Sequence, residues 1–245
     1  MMHRMFVVWV LFVAVSCSSS RQSSHESKLN TLTSKERAEG WKLLFDGKTK
    51  GGWHVFNNKS DGAAWKVADG ILYLDPKAKG PKGEGGGDII TDESFENFHL
   101  KLDWKIDTAG NSGVVIQAQE ASNYGWAWTT GPEIQIVDNA AHPDAKIDKH
   151  RAGDLYDLIS ATPVTVKPAG EWNQLEIIQN NGRLDLFLNG TKGVSTAQWD
   201  DNWSKLVGGS KFKSMADFGK FQKGKIALQD HGDRVWFRNI MIKTL

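Results

Sequence analysis

The stretch Phe98-His99-Leu100-Lys101-Leu102-Asp103-Trp104-Lys105-Ile106 alternates apolar and polar side chains without interruption. Successive side chains of an extended chain point to opposite sides, so this alternation places every apolar residue of the stretch on one face. The stretch therefore predicts a strand with one face in a core and the other in water.

Shorter strands are predicted on both sides of this one. Residues 174–178 and 183–188 flank Asn181-Gly182, a dipeptide that tolerates positive φ at both central turn positions and so predicts a hairpin. Residues 65–67 and 71–74 flank Asp69-Gly70 in the same manner. Only residues 34–39, after a Thr33 cap, look helical. Further short strands are predicted at 114–119, 133–137, 225–228 and 235–242.

Many short strands at this spacing indicate two packed antiparallel sheets or a closed barrel. We predict the first: an all-β, two-sheet antiparallel jelly-roll sandwich. The glycine-rich segment 80–87 lacks the lysine-serine or lysine-threonine ending of a phosphate loop, and no helix follows it. It is predicted to be a surface loop.

The first residues have the layout of an export signal. Arg4 supplies a positive charge, residues 6–15 are apolar, and Cys17, the single cysteine of the chain, follows the small Ser16. We predict a lipoprotein signal peptide over residues 1–17 that ends at a lipidated Cys17, with plain secretion as the alternative. Residues 18–31 are then a disordered tether, and residues 32–245 a single sandwich domain. The predicted location is extracytoplasmic, anchored by lipid to a bacterial membrane in the periplasm or outer membrane.

Charge and aromatic content narrow the function. A net charge of +1, with both signs mixed throughout, gives no electrostatic footprint for nucleic acid. Most tryptophans next to strand-like sequence are predicted to fill the core, namely Trp41, Trp65, Trp104, Trp172 and Trp236. Trp53, Trp126, Trp128 and Trp203 lie in loop-like contexts. For Trp53 and Trp128 we weigh stacking on a sugar ring against packing in a turn.

Polar groups concentrate between residues 131 and 157. Glu133 and Gln135 alternate with branched apolar residues, so a strand directs both to one surface. Asp138 follows that strand, and His142 and His150 lie in the loop beyond it. Oxygen and nitrogen donors that suit a metal are also present there, but their spacing matches no compact zinc pattern. A loop-bound calcium ion is the alternative left open, and no cofactor is predicted.

The order of short motifs along the chain resembles the 3-keto-disaccharide hydrolase domain family. The motifs are Phe45-Asp46-Gly47-Lys48, Gly52-Trp53, Asn111-Ser112-Gly113, Gly131-Pro132-Glu133-Ile134-Gln135, Asp138-Asn139, Ala169-Gly170-Glu171-Trp172-Asn173, Leu188-Asn189-Gly190, Ala227-Leu228-Gln229-Asp230-His231-Gly232 and Phe237-Arg238-Asn239-Ile240. The resemblance implies a concanavalin A-like jelly roll that acts on glycosides oxidised to a ketone at carbon 3. Gln117 stands where relatives often carry an arginine.

Such a substrate needs a base near carbon 2, donors near the ketone oxygen and an acid near the leaving oxygen. Glu133 is the predicted base, with Asp138 in reserve and His142 or His150 as acid. Asn111, Gln135 and Arg238 are predicted donors, although Arg238 could instead pair with Asp230 or Asp233. Gln117, Tyr156 and His231 complete the predicted lining.

Two functions remain open from sequence. The first is an enzyme that cleaves 3-keto-glycosides by proton abstraction at carbon 2 and elimination or hydrolysis at carbon 1. The second is a non-catalytic carbohydrate-binding module on a lipid tether, since lectins and enzymes share this architecture. Predicted partners are a small carbohydrate, a membrane reached through the anchor, and sugar oxidoreductases that prepare the ketone.

Overall fold

The computed structural model describes Met1 and residues 29–245, and within them thirteen strands form two antiparallel sheets. The larger sheet has eight strands in the order β11-β10-β9-β6-β13-β4-β3, with β1 also paired to β13. Its members are β1 (Lys42–Leu43), β3 (Trp65–Ala68), β4 (Ile71–Leu74), β6 (Phe98–Ile106), β9 (Asn173–Asn180), β10 (Arg183–Leu188), β11 (Thr191–Ala197) and β13 (Val235–Thr244).

The smaller sheet has five strands in the order β2-β5-β12-β7-β8. Its members are β2 (Trp53–Val55), β5 (Ile89–Thr91), β7 (Asn111–Ala118), β8 (Glu133–Val137) and β12 (Lys225–Leu228). The all-β, two-sheet jelly-roll sandwich predicted from the sequence is therefore confirmed.

The core lies between the two sheets. Strand β6 shows the predicted alternation, because Phe98, Leu100, Leu102, Trp104 and Ile106 are buried while the residues between them are partly exposed. The opposing sheet contributes the inward side chains of its own strands to the same cluster, among them Val114, Ile116, Ile134, Ile136, Ile226 and Leu228. Each sheet thus buries one face and leaves one outer face.

Turn chemistry fixes the predicted hairpins. Asn181 and Gly182 have φ values of 48° and 84° and join β9 to β10. Asp69 and Gly70 have φ values of 52° and 75° and join β3 to β4. Both turns require left-handed backbone at two successive positions, which asparagine, aspartate and glycine tolerate best.

The helical prediction was incomplete. The predicted first helix is present as α1 (Ser34–Ala38), and Thr33 and Glu36 form a capping box at its start. A second helix, α2 (Asp201–Gly208), was not predicted. The Asp200 side chain caps it by accepting a hydrogen bond from Trp203 N at 2.7 Å. Trp203, placed in a loop by the sequence reading, lies on this helix and is buried.

Three tryptophans predicted to fill the core lie on the outer face of the larger sheet. Trp65 and Trp104 fill the core as predicted, whereas Trp41 is buried against His99, beneath Lys101 and Lys243. Trp172 and Trp236 are only partly buried, and the Lys105 ammonium lies 5.3 Å and 4.5 Å from their ring centroids. A position next to a strand did not show whether a tryptophan faces the core or the outer surface. A lysine over the indole ring stabilises tryptophan on the outer face through a cation–π interaction.

The predicted signal peptide, Cys17 and most of the tether fall outside the described residues. Within residues 29–245, no helix combines the length and the apolar character needed to cross a membrane.

The two faces of the larger sheet should differ in their contribution to stability. We expect Trp104→Ala to lower the free energy of unfolding by about 3 to 5 kcal/mol, because it empties a fully buried site. Trp172→Ala, which removes the same side chain from the outer face, should cost about 1 kcal/mol. Urea unfolding followed by circular dichroism measures both, and equal losses would contradict the assignment of faces.

Candidate active site

The candidate site lies on the outer face of the smaller sheet. Ile134 and Ile136 point into the core, so Glu133 and Gln135 on β8 point outward. The register places Val115 opposite Glu133 and Gly113 opposite Gln135. On the other side of β7, Gln229 N donates to the Gly113 carbonyl and brings the Gln229 side chain into the same region.

Gly113 makes room for the Glu133 carboxyl group. A Cβ at position 113 would lie 2.3 Å from Glu133 Oε1, closer than any real contact allows. Gln229 Nε2 donates to Glu133 Oε2 at 3.0 Å. The carboxyl is therefore held flat against the sheet between a glycine and an amide, and the Glu133 residue is only 6% exposed.

A small pocket of about 110 Å³ opens above this carboxyl. A larger cavity of about 380 Å³ adjoins it and shares Asn111, Tyr156 and His231. The small pocket is lined by Asn111, Trp128, Glu133, Gln135, Tyr156, Lys211, Gln229 and His231, and the larger one adds His142, Pro143, Asp144 and Ile147.

Burial dominates the electrostatics of Glu133. Loss of solvent raises the pKa of its carboxyl to about 8, against the opposing effect of the Lys211 ammonium. The charges of Asp88 and Asp144 also raise it. Asp88, on the same side of the sheet, has its own pKa raised to about 6 by burial. At neutral pH the empty site therefore holds a protonated Glu133.

Lys211 brings the positive charge of the site. Although the residue as a whole is exposed, its ammonium lies 4.1 Å from the ring centroid of Tyr156 and 5.3 Å from that of Trp128. Desolvation lowers the pKa of this ammonium, while the charges of Glu133, Asp157 and Asp144 raise it. An ammonium group over two aromatic faces is well placed to attract negative charge that develops on a ligand.

A chain of side chains behind the pocket fixes its aromatic wall. Tyr156 OH donates to Asp144 Oδ2 at 3.2 Å, and the other oxygen of Asp144 faces His150 Nδ1 at 2.8 Å. His150 Nε2 faces Asp157 Oδ1 at 3.2 Å, and Asp157 Oδ2 accepts from Lys211 N at 2.6 Å. Burial and neighbouring carboxylates raise the pKa of Tyr156, so its hydroxyl keeps its proton and remains a donor.

The three histidines predicted for the site differ in how they relate to the pocket. His231 lines the pocket, and His142 lines the adjoining cavity, with their ring centroids 6.4 Å apart. His142 Nδ1 accepts from Asp144 N at 3.1 Å, which directs the opposite ring nitrogen away from the backbone. His150 is buried behind Asp144 and stacks on Tyr156 at 4.2 Å, so it supports the wall and does not line the pocket.

Two acceptor atoms of the pocket residues have no partner within the described part of the chain. Asn111 Oδ1 and Gln229 Oε1 are buried and unpaired there. A buried oxygen without a hydrogen bond is costly, so such groups indicate a ligand or water that donates to them. Hydroxyl groups are donors of this kind.

Four predicted site residues lie elsewhere. Trp53 is buried in the core, where its Nε1 donates to the Leu44 carbonyl at 2.6 Å, so its ring cannot stack on a sugar. Asp138 accepts from the backbone amides of Ala109 and Ala140 at 2.9 Å and 3.0 Å and stabilises a turn.

Gln117 and Arg238 also lie away from the pocket. Gln117 is 1% exposed and exchanges two amide hydrogen bonds with Gln198, at 3.2 Å and 3.0 Å. Arg238 lies on the outer face of the larger sheet, where it donates to Asp103 Oδ2 at 3.1 Å and stacks on Trp172. Neither Asp230 nor Asp233 is its partner, because Asp103 is its direct neighbour on β6.

Lys211 and Gln229 were missed as site residues. Gln229 was quoted only as part of a motif, and its place beside Glu133 depends on the pairing of β12 with β7. Lys211 begins a short 3-10 helix, Lys211–Ser214, which follows the unpredicted α2. Its sequence neighbourhood carries no signal for a site.

The structure offers no metal centre in the part of the chain it describes. Across residues 29–245, no three histidine, cysteine, aspartate or glutamate side chains converge in a way that could hold a metal ion. Three loop carboxylates that could supply oxygen to a calcium ion serve other partners: Asp154 accepts from the amides of Arg151 and Ala161, and Asp144 and Asp157 contact His150.

Fold and site together define the class of protein: a jelly-roll sandwich with a polar pocket on its smaller sheet, lined by one buried carboxyl, one ammonium and several amides. Residues 40–243 match the family model described as a 3-keto-alpha-glucoside-1,2-lyase-like domain. The chain belongs to this family, whose members act on glycosidic bonds.

Relatives agree with this assignment. A curated protein of Bacteroides thetaiotaomicron, named 3-keto-disaccharide hydrolase, is 34% identical, and the match covers 95% of this chain and 87% of that protein. A crystal structure from Parabacteroides distasonis, provisionally described as a glycosyl hydrolase, is 34% identical with a TM-score of 0.81 and covers 89% of this chain and 100% of its own. A second one from that organism is 29% identical with a TM-score of 0.66, over 84% of this chain and 99% of its own.

Burying Glu133 should destabilise the fold as the pH rises. Its folded pKa of about 8 exceeds the unfolded value of about 4.3, so stability falls between these two pH values as the unfolded chain loses a proton that the folded protein keeps. The stability of Glu133→Gln relative to the wild type should therefore be greater at pH 8 than at pH 4, by roughly 4 kcal/mol. Chemical unfolding at both pH values measures this difference.

Glu120→Gln is the matched control of opposite sign. Desolvation acts on Glu120 too, but hydrogen bonds from Lys225 and Asn57 N outweigh it and lower the pKa of Glu120. Its loss should therefore destabilise the protein at neutral pH. A Glu133→Gln variant whose stability keeps a constant offset from the wild type at every pH would refute the buried, protonated state.

Proposed function

We propose that this protein cleaves the glycosidic bond of small 3-keto-glycosides, by removing the proton on carbon 2 and expelling the group on carbon 1. Elimination gives an unsaturated sugar, and addition of water to it completes a hydrolysis. The family description and the name of the Bacteroides relative support the substrate class. The observation that carries the proposal is the buried Glu133 carboxyl, which shares its pocket with Lys211 and is the one carboxyl among the residues that line it.

Glu133 is the proposed base. A ketone at carbon 3 acidifies the proton on carbon 2, but a carboxylate of ordinary basicity is a weak base for such a proton. A carboxyl whose pKa is about 8 is a stronger base once it is ionised, and that pKa lies close to a neutral operating pH. The raised pKa thus matches the task.

Lys211 is the proposed stabiliser of the enolate. Proton removal places negative charge on the ketone oxygen, and the ammonium over Tyr156 and Trp128 can approach that oxygen in a partly desolvated site. The same charge favours the ionised form of Glu133. The Lys211 ammonium therefore stabilises the ionised Glu133 before proton transfer and the enolate after it.

The remaining groups fit a sugar. Asn111 Oδ1 and Gln229 Oε1 can accept from hydroxyls, and the partly exposed Trp128 offers an aromatic surface. His231, or His142 across the adjoining cavity, is the proposed acid for the leaving oxygen. Gln135 Nε2 lies 3.4 Å from Asp144 Oδ2 and is directed into the same region.

We also propose an extracytoplasmic location through a lipid on Cys17, with oxidoreductases that form the ketone as functional partners. The layout of residues 1–17 supports the first proposal. The second follows from the substrate, since an ordinary disaccharide carries no ketone at carbon 3.

Removing the base should slow turnover strongly. We expect Glu133→Gln to release sugar from a 3-keto-disaccharide about 10²–10⁴-fold more slowly than the wild type, because general bases contribute a factor of this size and the amide keeps the shape of the site. Glu176→Gln, on the larger sheet, is the matched control and should retain activity. Chromatographic detection of released sugar measures both.

The unoxidised parent disaccharide tests the substrate class. Neither the wild type nor the variant should release sugar from it. If the wild type cleaves neither compound but binds one of them, the protein is a carbohydrate-binding module. If Glu133→Gln retains full activity, the base lies elsewhere.

The pH profile should report the Glu133–Lys211 pair. Because the base must be ionised, kcat/KM should rise with pH and level off above about pH 8. Lys211→Met removes the charge that lowers the pKa of Glu133, so its profile should shift to higher pH and its maximum should fall about 10²–10³-fold. Lys211→Arg should keep the wild-type profile position, and an unshifted profile in Lys211→Met would show that the two groups do not interact.

A further inference from the structure

The outer face of the larger sheet is strongly basic, although the whole chain carries a net charge of only +1. Its two central strands, β6 and β13, present Lys101, Lys105, Arg238 and Lys243 against the single carboxylate of Asp103. The flanking strands add Lys66, Arg183 and Lys192 against Glu176 and Asp185. The strands therefore give this face an excess of positive charge, which the carboxylates of Glu36 in α1 and of Glu39 at its end reduce in part beside Lys101 and Lys243.

The carboxylates on the strands of this face are less exposed than Arg183 and Lys192. The side chains of Asp103, Glu176 and Asp185 are 15%, 19% and 16% exposed. Those of Arg183 and Lys192 are 58% and 44% exposed, although both pair with Asp185. The shorter acidic side chains sit against the sheet while the longer basic ones reach past them. Among the strand residues, the side chains that reach solvent on this face are therefore mainly cationic, and α1 adds the carboxylates of Glu36 and Glu39 at one end.

Tryptophans are interleaved with these cations. Trp41 lies beneath Lys101 and Lys243, each 5.3 Å from its ring centroid. Trp172 and Trp236 lie beneath Lys105, and Trp172 also beneath Arg238. Indole rings beside lysines and arginines are typical of surfaces that sit at the boundary between water and lipid.

The chain enters the described fold on this same face. Asn30 N donates to Asn239 Oδ1, and Asn239 N donates to Asn30 Oδ1, both at 2.8 Å. Asn30 Nδ2 also donates to the Gly70 carbonyl at 2.8 Å. These bonds fix residue 30 to strand β13 on the outer face of the larger sheet. If Cys17 carries a lipid, residues 18–28 can extend at most about 40 Å from this point.

We propose that the basic outer face of the larger sheet docks on an anionic lipid bilayer, with phosphate headgroups as its ligands. Two independent observations converge on a bilayer as the occupant. The charge is complementary to anionic headgroups, and the segment that carries the apolar residues 6–15 and Cys17 leaves from this face. The candidate active site, on the outer face of the other sheet, then faces away from the membrane and stays open to soluble sugars.

Vesicle binding by residues 29–245 tests this docking without the leader. The Parabacteroides relative, whose whole crystallised chain aligns with 89% of this one, indicates that this part folds alone. We expect co-sedimentation with vesicles of mixed phosphatidylglycerol and phosphatidylcholine, none with phosphatidylcholine alone, and a loss of binding as salt is raised.

Charge removal locates the binding face. Each lysine near an anionic surface strengthens binding roughly fivefold, so Lys105→Gln with Lys243→Gln should weaken vesicle binding about 25-fold. Lys220→Gln with Lys223→Gln removes the same charge from exposed positions off this face and should leave binding unchanged. If the first pair lowers the melting temperature, Lys66→Gln with Lys192→Gln replaces it on the same face.

Three results would overturn the proposal. The first is that the protein does not bind anionic vesicles in low salt, and the second is that both lysine pairs weaken vesicle binding equally. The third is that substituting Lys105 and Lys243 weakens binding to dextran sulfate but leaves binding to vesicles unchanged. The last result would assign the face to an anionic polysaccharide.

Discussion

The proposed chemistry depends on one constraint, the burial of the Glu133 carboxyl against the backbone of Gly113. A side chain at position 113 would occupy the space of the carboxyl. Removal from solvent is the largest influence on the pKa of Glu133, and the Lys211 ammonium is the largest one that opposes it. The carboxyl is therefore poised near neutral pH, protonated when the site is empty and readily ionised when charge nearby favours it. Gly113, Gln229 and the Asp144–Tyr156 wall all serve to keep it there.

The sandwich separates stability from function by giving each sheet one buried and one outer face. Alternation along β8 sends Ile134 and Ile136 into the core and Glu133 and Gln135 outward, so the strand that holds the site is fixed by the core beneath it. Placing a carboxyl precisely on a sheet costs little additional conformational entropy, because the backbone that carries it is already rigid. The loops that close the pocket carry Trp128, Tyr156 and Lys211. The loop with Tyr156 is itself bound to β8, because Tyr156 N donates to the Glu133 carbonyl and Gln135 N donates to the Asp154 carbonyl.

The sequence predicted what depends on local pattern and missed what depends on distant pairing. Strand β6, the two hairpins and the shared face of Glu133 and Gln135 follow from alternation and turn chemistry alone. Whether a tryptophan stacks on a ligand or packs inside depends on where its N–H finds an acceptor. For Trp53 that acceptor is the carbonyl of Leu44, which no local pattern reveals. Lys211 reaches the pocket from beyond an unpredicted helix, so only the folded chain brings it to Glu133.

The composition of the pocket bears on the kind of glycoside it suits. An ordinary glycosidase places two carboxyl groups on either side of the bond it breaks. Here Glu133 is the only carboxyl among the residues that line the small pocket, and the nearby Asp144 is held by Tyr156, Gln135 and His150. A site with one carboxyl and one ammonium cannot easily stabilise an oxocarbenium ion, but it can take a proton and hold the resulting enolate. This composition supports the proposed class of substrate, a sugar whose ketone acidifies the proton that the base removes.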